Sequence, residues 1–163
     1  MASNKTLAMK FLDGKKVSYR ALTYPDNLRD AEEVAQALGL PADQVYKTLV
    51  VTRPGAGKPI LAIIPANRQL DPKALAKNVG EKKLKMASHR EAEALTGLKV
   101  GGISALALVN RGFQVFVDET AASIDEIVVS AGERGQQIEL APADLLKVTR
   151  ARYAAIAAAD AEQ

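Results

Sequence analysis

A predicted β-hairpin in the first half of the chain constrains the fold most strongly. Residues 45–53 are rich in β-branched side chains, and turn residues 54–57 separate them from a second apolar run at 60–65. Two such runs joined by a turn of proline and glycine are typical of paired antiparallel strands. The remaining elements must therefore pack around an antiparallel pair.

Five helices are predicted to interrupt the β-rich runs, because cap residues mark where they begin and end. Asp30 with Glu33, and Ser88 with Glu91, have the spacing of a capping box. Asp71 precedes a proline that suits the first helical turn. The predicted helices begin near Thr6, Asp30, Asp71, Ser88 and Pro142, and the first four end at Gly14, Gly39, Gly80 and Gly97.

Further strands are predicted at 17–22, 113–117, 127–130 and 137–140. Strands joined by short turns, with helices inserted irregularly between them, favour an α+β domain with a mixed sheet over a doubly wound parallel fold. No repeat or linker divides the 163 residues, and this length suits one domain. We therefore expect a single domain that spans residues 1–163.

The composition excludes several kinds of chemistry. The chain has no cysteine and a single histidine, His89, which lies in a polar stretch and is interpreted as a solvated residue at a helix start. Catalysis would then depend on lysine, hydroxyl, carboxylate or backbone groups, or on the substrate itself, and we expect no metal and no cofactor.

The longest apolar runs, such as 60–66, are far shorter than the roughly 20 residues of a membrane span. No basic and apolar leader follows Met1, which predicts a cytoplasmic protein.

The charge distribution permits contact with phosphates. The formal net charge is +3, and the sequence pI is near 9.1. Residues 71–90 contain six basic side chains and two acidic ones. This segment is either a solvated charged face or a patch that follows a phosphate backbone, and the sequence leaves both interpretations open.

Lys47 is the residue for which the sequence pattern most strongly indicates a role in a functional site. On a strand, its side chain shares a face with the apolar Val45, Leu49 and Val51. A lysine on such a face must extend its ammonium to solvent, find a partner or line a pocket. In a pocket, its charge would suit a substrate that carries a phosphate or a polarised carbonyl.

Two glycine-rich turns and one aromatic residue are further candidates. Gly101 and Gly102 permit close approach of the backbone to a ligand, and Ser104 adds a hydroxyl, although an ordinary loop would have the same pattern. The stretch 130–135 holds two glycines around a Glu-Arg pair, which also fits a bulged hairpin turn with a solvated ion pair. Tyr24 has two interpretations: its ring stacks on a base or sugar of a ligand, or it packs at the end of a strand.

Seven stretches of the chain form an ordered set. They are 23–24, 43–51, 69–71, 82–87, 96–97, 100–104, and a pattern Ser130-x-Gly132-x-Arg134-Gly135 that continues to Ile138-Glu139-Leu140. Together they resemble the YbaK/EbsC family of bacterial aminoacyl-tRNA deacylases, and they cover most of the chain from about residue 20 to 150. That family is similar to the editing domain inserted in bacterial prolyl-tRNA synthetase.

The resemblance implies a mixed, mostly antiparallel, barrel-like sheet surrounded by helices, with a pocket for an aminoacylated 3′ adenosine. Within it, Lys47 matches the catalytic lysine of the family. The family works without a metal or a protein nucleophile, so positioning and oxyanion stabilisation would supply most of the acceleration. The substrate-binding positions that the resemblance implies are Tyr24, Thr48, Gly101, Gly102, Ser104, Gly132 and Arg134.

The implied activity is that of a trans-acting deacylase that cleaves the ester of mischarged tRNA, either Cys-tRNA(Pro) or a tRNA with a related small amino acid. The implied partners are mischarged tRNA, with tRNA-Pro as its body, and prolyl-tRNA synthetase as a candidate. Ala105 replaces a proline of the family, and Gln137 replaces an acidic residue of its cysteine-specific members. These departures predict a preference for small side chains without a strict need for a thiol. A non-catalytic module that binds tRNA or a synthetase is the alternative.

Overall fold

The structure is a computed structural model that describes residues 5–28, 30–55 and 57–158. Within these ranges, five α-helices and eight β-strands follow one another in an irregular order. The helices are α1 (Leu7–Gly14), α2 (Ala31–Leu38), α3 (Pro72–Val79), α4 (His89–Thr96) and α5 (Pro142–Thr149). The strands are β1 (Arg20–Thr23), β2 (Tyr46–Thr52), β3 (Ile60–Pro65), β4 (Lys85–Met86), β5 (Gln114–Asp118), β6 (Ile127–Ser130), β7 (Gln136–Leu140) and β8 (Arg152–Ala154).

The helices begin where the sequence predicts. Four N-cap side chains accept a hydrogen bond from a backbone N–H in the first turn, and they are Thr6, Asp30, Asp71 and Ser88. Ser88 and Glu91 form a complete capping box. Three helices end at a glycine with positive φ, a conformation that glycine adopts without strain, and these are Gly39, Gly80 and Gly97. The predicted cap positions are therefore confirmed, although the Asp30–Glu33 pair shows only the bond from Glu33 N to the Asp30 side chain.

The predicted hairpin is confirmed and lies within a five-stranded sheet. β2 and β3 pair antiparallel, from Tyr46 opposite Pro65 to Val51 opposite Ile60. The strand order of this sheet is β4-β2-β3-β5-β8. β4 runs antiparallel to β2, whereas β5 is parallel to β3 and β8 is parallel to β5. Ala56, in the predicted turn, lies outside the described residues.

The second sheet has three antiparallel strands in the order β1-β7-β6. An isolated bridge between Val45 and Val128 connects it to the first sheet. The mixed, mostly antiparallel α+β class is thus confirmed. The expected barrel-like sheet is not confirmed. Across the described residues each sheet ends in two edge strands, and a single isolated bridge does not close the two sheets into a barrel.

The five-stranded sheet separates two apolar clusters. Successive residues of a strand point to opposite faces, so Tyr46 and Val50 of β2 pack with α1 and α5, while Val51 packs with α3. A third cluster packs α2 against Val45 and Val128. Because β2 is packed on both faces, it is a rigid support for any side chain that it carries. No helix among the described residues is long and apolar enough to cross a membrane.

Candidate active site

A cavity of about 420 Å³ lies where the first half of β2 meets the beginning of α2, the β4–α4 connection and residues 100–103. Lys47 and Thr48 of β2 line it, together with Gly101 from the glycine-rich loop. Val34, Ala92 and Ile103 are among its apolar walls. The volume is within the range of pockets that enclose small ligands.

Lys47 brings a cation to this cavity. Its Nζ donates a hydrogen bond to the carbonyl oxygen of Ala66 at 3.2 Å, and it forms no salt bridge within the described part of the chain. Burial lowers the pKa of Lys47 from the usual lysine value, and the negative charges of Asp30 and Glu32 partly oppose that change. Since an ammonium has three N–H donors, Lys47 has further donors to offer to a ligand.

The loop that carries Gly101 is held from three sides. Val100 N donates to Glu93 Oε2 at 2.8 Å, and Arg134 Nε donates to Val100 O at 2.7 Å. The hydroxyl of Tyr24 donates to Gly101 O at 3.5 Å. Three separate segments of the chain thereby fix the backbone that forms this wall of the cavity.

Gly102 lets the loop that carries Gly101 lie close to the backbone of residues 133 and 134. A Cβ atom at this position would lie 3.1 Å from the backbone nitrogen of Arg134 and 3.1 Å from the carbonyl carbon of Glu133. That separation is tighter than most Cβ contacts, so a larger residue would push the two loops apart. The role of Gly102 in this structure is therefore to let the loops touch.

The 130–135 stretch is the β6–β7 hairpin turn, as one of the two interpretations predicted. Gly132 and Gly135 both have positive φ, and Gly135 O accepts a hydrogen bond from Tyr24 N at 3.0 Å. Arg134 does not form a salt bridge with Glu133 and instead reaches Val100. This turn is the support on which the Gly101–Gly102 loop rests.

Ser104 lies away from the cavity lining. It is 1% exposed, and its Oγ accepts hydrogen bonds from the backbone N–H groups of Leu106 and Ala107 at 3.1 and 3.4 Å. Tyr24 is also buried, with 8% exposure, and does not line the cavity. In this structure both residues stabilise loops, and their roles toward a substrate stay predictions.

The predicted site residues thus divide into two groups. Three of them line the cavity, namely Lys47, Thr48 and Gly101. Tyr24, Gly102 and Arg134 hold the loop around Gly101, whereas Ser104 stabilises the turn at 104–107 and Gly132 lies in the β6–β7 turn. The structure therefore brings the predicted set into one region, with different positions relative to the cavity.

Sequence reasoning gave no role in the site to Asp30, which caps α2 and lines the cavity. Ser130 was noted only as part of the 130–135 pattern, and Gln137 only as a departure of this chain that affects substrate preference. Both line the cavity, where they face each other across β6 and β7. Gln137 is buried, and its Oε1 has no hydrogen-bond partner among the described residues. His89 is exposed at the first position of α4, as expected, but it also lines the cavity.

No group of three or more histidine, cysteine, aspartate or glutamate side chains that could hold a metal ion occurs in the described ranges. The expectation that the protein needs no metal therefore stays a prediction. The groups available in the cavity are an ammonium, a carboxylate, hydroxyls, an amide and an imidazole. Such a set can orient a polar substrate and stabilise negative charge.

A family model for the aminoacyl-tRNA editing domain matches residues 25–148. The chain belongs to this editing-domain family. EbsC of Enterococcus faecalis, named for a proposed Cys-tRNA(Pro)/Cys-tRNA(Cys) deacylase activity, is 39% identical over 154 residues, and the alignment covers 93% of each protein. The proline–tRNA ligase of Nitratidesulfovibrio vulgaris is 37% identical over 70 residues, which cover 43% of this chain and 12% of the ligase. The family resemblance drawn from the sequence is confirmed.

Solved structures share the fold of this editing-domain chain. The hypothetical protein APE2540 superposes with a TM-score of 0.85 at 24% identity, over 93% of this chain and 99% of that one. A crystal structure described as a proposed trans-editing enzyme for prolyl-tRNA synthetase has a TM-score of 0.79 at 24% identity, over 96% and 100% of the two chains. At this level of identity the likeness establishes the fold.

Proposed function

We propose that this protein is a trans-acting aminoacyl-tRNA deacylase that hydrolyses the ester between a wrongly attached amino acid and tRNA. The observation that carries the proposal is the half-buried Lys47 in the wall of the 420 Å³ cavity. The family and the relative named for a deacylase, which aligns with 93% of this chain, support the same activity. Because its substrate is aminoacylated tRNA, the enzyme acts in the cytoplasm.

The cavity supports ester hydrolysis by positioning and charge. A water molecule, or a nucleophilic group of the substrate, adds to the carbonyl carbon, and negative charge develops on the carbonyl oxygen. The Lys47 ammonium stabilises that charge, and it does so more effectively at a half-buried position than it would in bulk water. With water as the nucleophile, the bond to the ribose oxygen breaks, that oxygen takes up a proton, and free amino acid and tRNA leave.

The substrate that we propose carries a small amino acid, such as cysteine, alanine or serine, on tRNA-Pro. The relative from Enterococcus faecalis is named for cysteinyl substrates, and the partial match to a proline–tRNA ligase supports a link to proline decoding. Gln137 and Ser130 give this cavity uncharged polar groups. An amide and a hydroxyl can serve a thiol, a hydroxyl or the α-amino group without selecting one strictly. We propose prolyl-tRNA synthetase as a candidate partner.

The test is amino-acid release from alanyl-, seryl- and cysteinyl-tRNA that carry the proline anticodon. Lys47→Met keeps the apolar stem and removes the charge, so we expect a rate lower by about 10²–10³ for the best substrate. The matched control is Lys147→Met, which removes an exposed lysine of α5 that does not line the active-site cavity.

Both variants should stay folded, because neither lysine has a salt bridge within the described ranges. Lys47→Met removes one hydrogen bond, to Ala66 O, which is worth about 0.5–1.5 kcal/mol, so we expect its Tm to change by only a few degrees. Equal rates for Lys47→Met and the wild type would show that Lys47 is not catalytic. Tight binding of all three tRNAs without release would favour the non-catalytic binding module.

A further inference from the structure

A second depression, which we call the lysine groove, lies beside the beginning of α3. It has a volume of about 580 Å³, and Lys73, Lys82 and Lys83 are among the residues that line it. All three side chains are exposed. The floor includes the apolar residues Ala76 and Leu84, which belong to the cluster on the α3 face of the five-stranded sheet. The groove thus has an apolar floor and lysine side chains along its walls.

The lysines of this groove outnumber its carboxylates. None of the three forms a salt bridge with a described residue. Asp71 also lines the groove and caps α3 through Ala74 N at 3.1 Å, whereas Glu81 pairs with Arg53 at 3.0 Å. Three lysines against one aspartate leave the groove lining with a net charge of +2 for a ligand.

The charge of the protein is concentrated in this segment. Residues 71–90 hold six basic and two acidic side chains, a net charge of +4, whereas the whole chain carries +3. The rest of the chain therefore carries a net charge of −1. A local excess of this kind directs a polyanion to one face of the protein.

The groove is adjacent to the active-site cavity. Leu84 lines the groove and Met86 lines the cavity, and only Lys85 separates them along the chain. Two residues of extended chain span at most about 7 Å. A strand that leaves the cavity can therefore meet the groove within a few nucleotides.

We propose that the lysine groove binds the phosphodiester backbone of the single-stranded 3′ end of tRNA, on the 5′ side of the aminoacylated nucleotide. This inference rests on the proposed deacylase function, because that function places the terminal adenosine in the cavity. An anionic membrane surface fits less well, since the large exposed apolar side chains of the described residues do not line the groove. The groove would supply affinity and register, while the cavity supplies the chemistry.

The direct test measures the Kd of a fluorescent RNA oligonucleotide that ends in CCA, between 50 and 200 mM salt. The variant combines Lys73→Gln, Lys82→Gln and Lys83→Gln. Each phosphate contact on a single strand contributes a slope of about 0.7 in log K against log salt, so the wild type should lose roughly twentyfold more affinity than the variant over this range. The control combines Lys10→Gln, Lys16→Gln and Lys147→Gln, which removes the same charge from α1, the turn after it and α5 on the opposite face of the sheet.

A second arm uses catalysis. We expect the groove variant to raise KM for mischarged tRNA about tenfold, with kcat unchanged and with no effect on an aminoacyl-adenosine that lacks phosphates. Equal salt slopes for wild type and groove variant, an equal loss in the control variant, or an equal loss on aminoacyl-adenosine would each overturn the proposal. If the wild type cleaves no substrate, the deacylase function fails, and the oligonucleotide measurement still decides whether the groove binds RNA.

Discussion

The buried side chain of Gln137 is expected to destabilise the fold, and it lies in the candidate active site. It lies on β7 opposite Ser130, is 6% exposed, and lines the cavity. Its Oε1 is buried and has no hydrogen-bond partner within the described ranges. An acceptor that is buried without a partner costs about 1–3 kcal/mol. Leucine is of similar size and has no polar atom, so Gln137→Leu should raise the free energy of unfolding by up to that amount.

The measurement is urea and thermal unfolding of the wild type and the variant. In a domain of this size, 1 kcal/mol corresponds to about 2–4 °C in Tm, so Gln137→Leu should melt several degrees higher. The adjacent Gln136→Leu is the matched control, because Gln136 is only partly buried and does not line the cavity. We expect it to change Tm by less than about 2 °C, since surface substitutions usually alter stability by under 0.5 kcal/mol.

The same variant should lose activity. Within the proposed function, we expect the amide of Gln137, which lines the cavity, to hydrogen-bond to the substrate, for which the charged α-amino group is the strongest donor. A hydrogen bond to a charged group is worth about 1.5–3 kcal/mol, so kcat/KM should fall by roughly 10- to 100-fold. A gain in stability with a loss of activity is the pattern expected where an active site holds an unpaired polar group. A lower Tm for Gln137→Leu would refute the stability argument, and unchanged kcat/KM would refute the proposed contact.

Two further substitutions test the electrostatics and the packing of the cavity. The charge of Asp30 raises the pKa of Lys47. Asp30→Asn keeps the N-cap, so it should lower that pKa and move the loss of activity at alkaline pH to a lower pH. NMR titration of the Lys47 side chain measures the pKa, and a higher value in the variant would contradict the prediction. Gly102→Ala should lower the free energy of unfolding by about 1–3 kcal/mol and raise KM, because its Cβ would lie 3.1 Å from Arg134 N. Gly14→Ala, where nothing lies within 4 Å of the new Cβ, should do neither, and equal effects of the two would rule out the close approach as the cause.

The helices and the hairpin were predictable because their signals are local. Asp71, for example, caps α3 with a hydrogen bond to a residue three positions away, and the β2–β3 pairing depends on a short turn. β4 and β8 were not predicted, because they are two and three residues long and have no periodic pattern. They form where an edge of the existing sheet is available. The order of the strands in the sheets depends on such distant pairings, which local patterns do not indicate. The barrel-like sheet came from the family resemblance and is not confirmed.

From the residue pattern alone, the site was predictable only where a residue stands out in its own segment, whereas Thr48 was named through the family resemblance. Lys47 does so, because it interrupts an apolar strand face. Gln137 gave one signal of the same kind, since it and Glu139 alternate with Ile138 and Leu140 on a strand that proves to be buried on both faces. Asp30 gave no separate signal, because its role as a helix cap already explains it. The cavity joins segments that are far apart in the chain, and that proximity comes from the fold.

The contacts of Arg134 show why a motif does not by itself identify substrate contacts. The resemblance implied that Arg134 binds substrate, yet its Nε is used at 2.7 Å on Val100 O, next to Gly101 in the cavity wall. Tyr24 and Gly102 act on the same loop through a hydrogen bond and a close backbone approach. A loop that presents its backbone to a substrate needs its position fixed within a fraction of an ångström, because misplaced groups lose much of their catalytic effect. The residues that hold the loop are therefore needed for the site as well as those that touch the ligand, and both kinds occur in one sequence pattern.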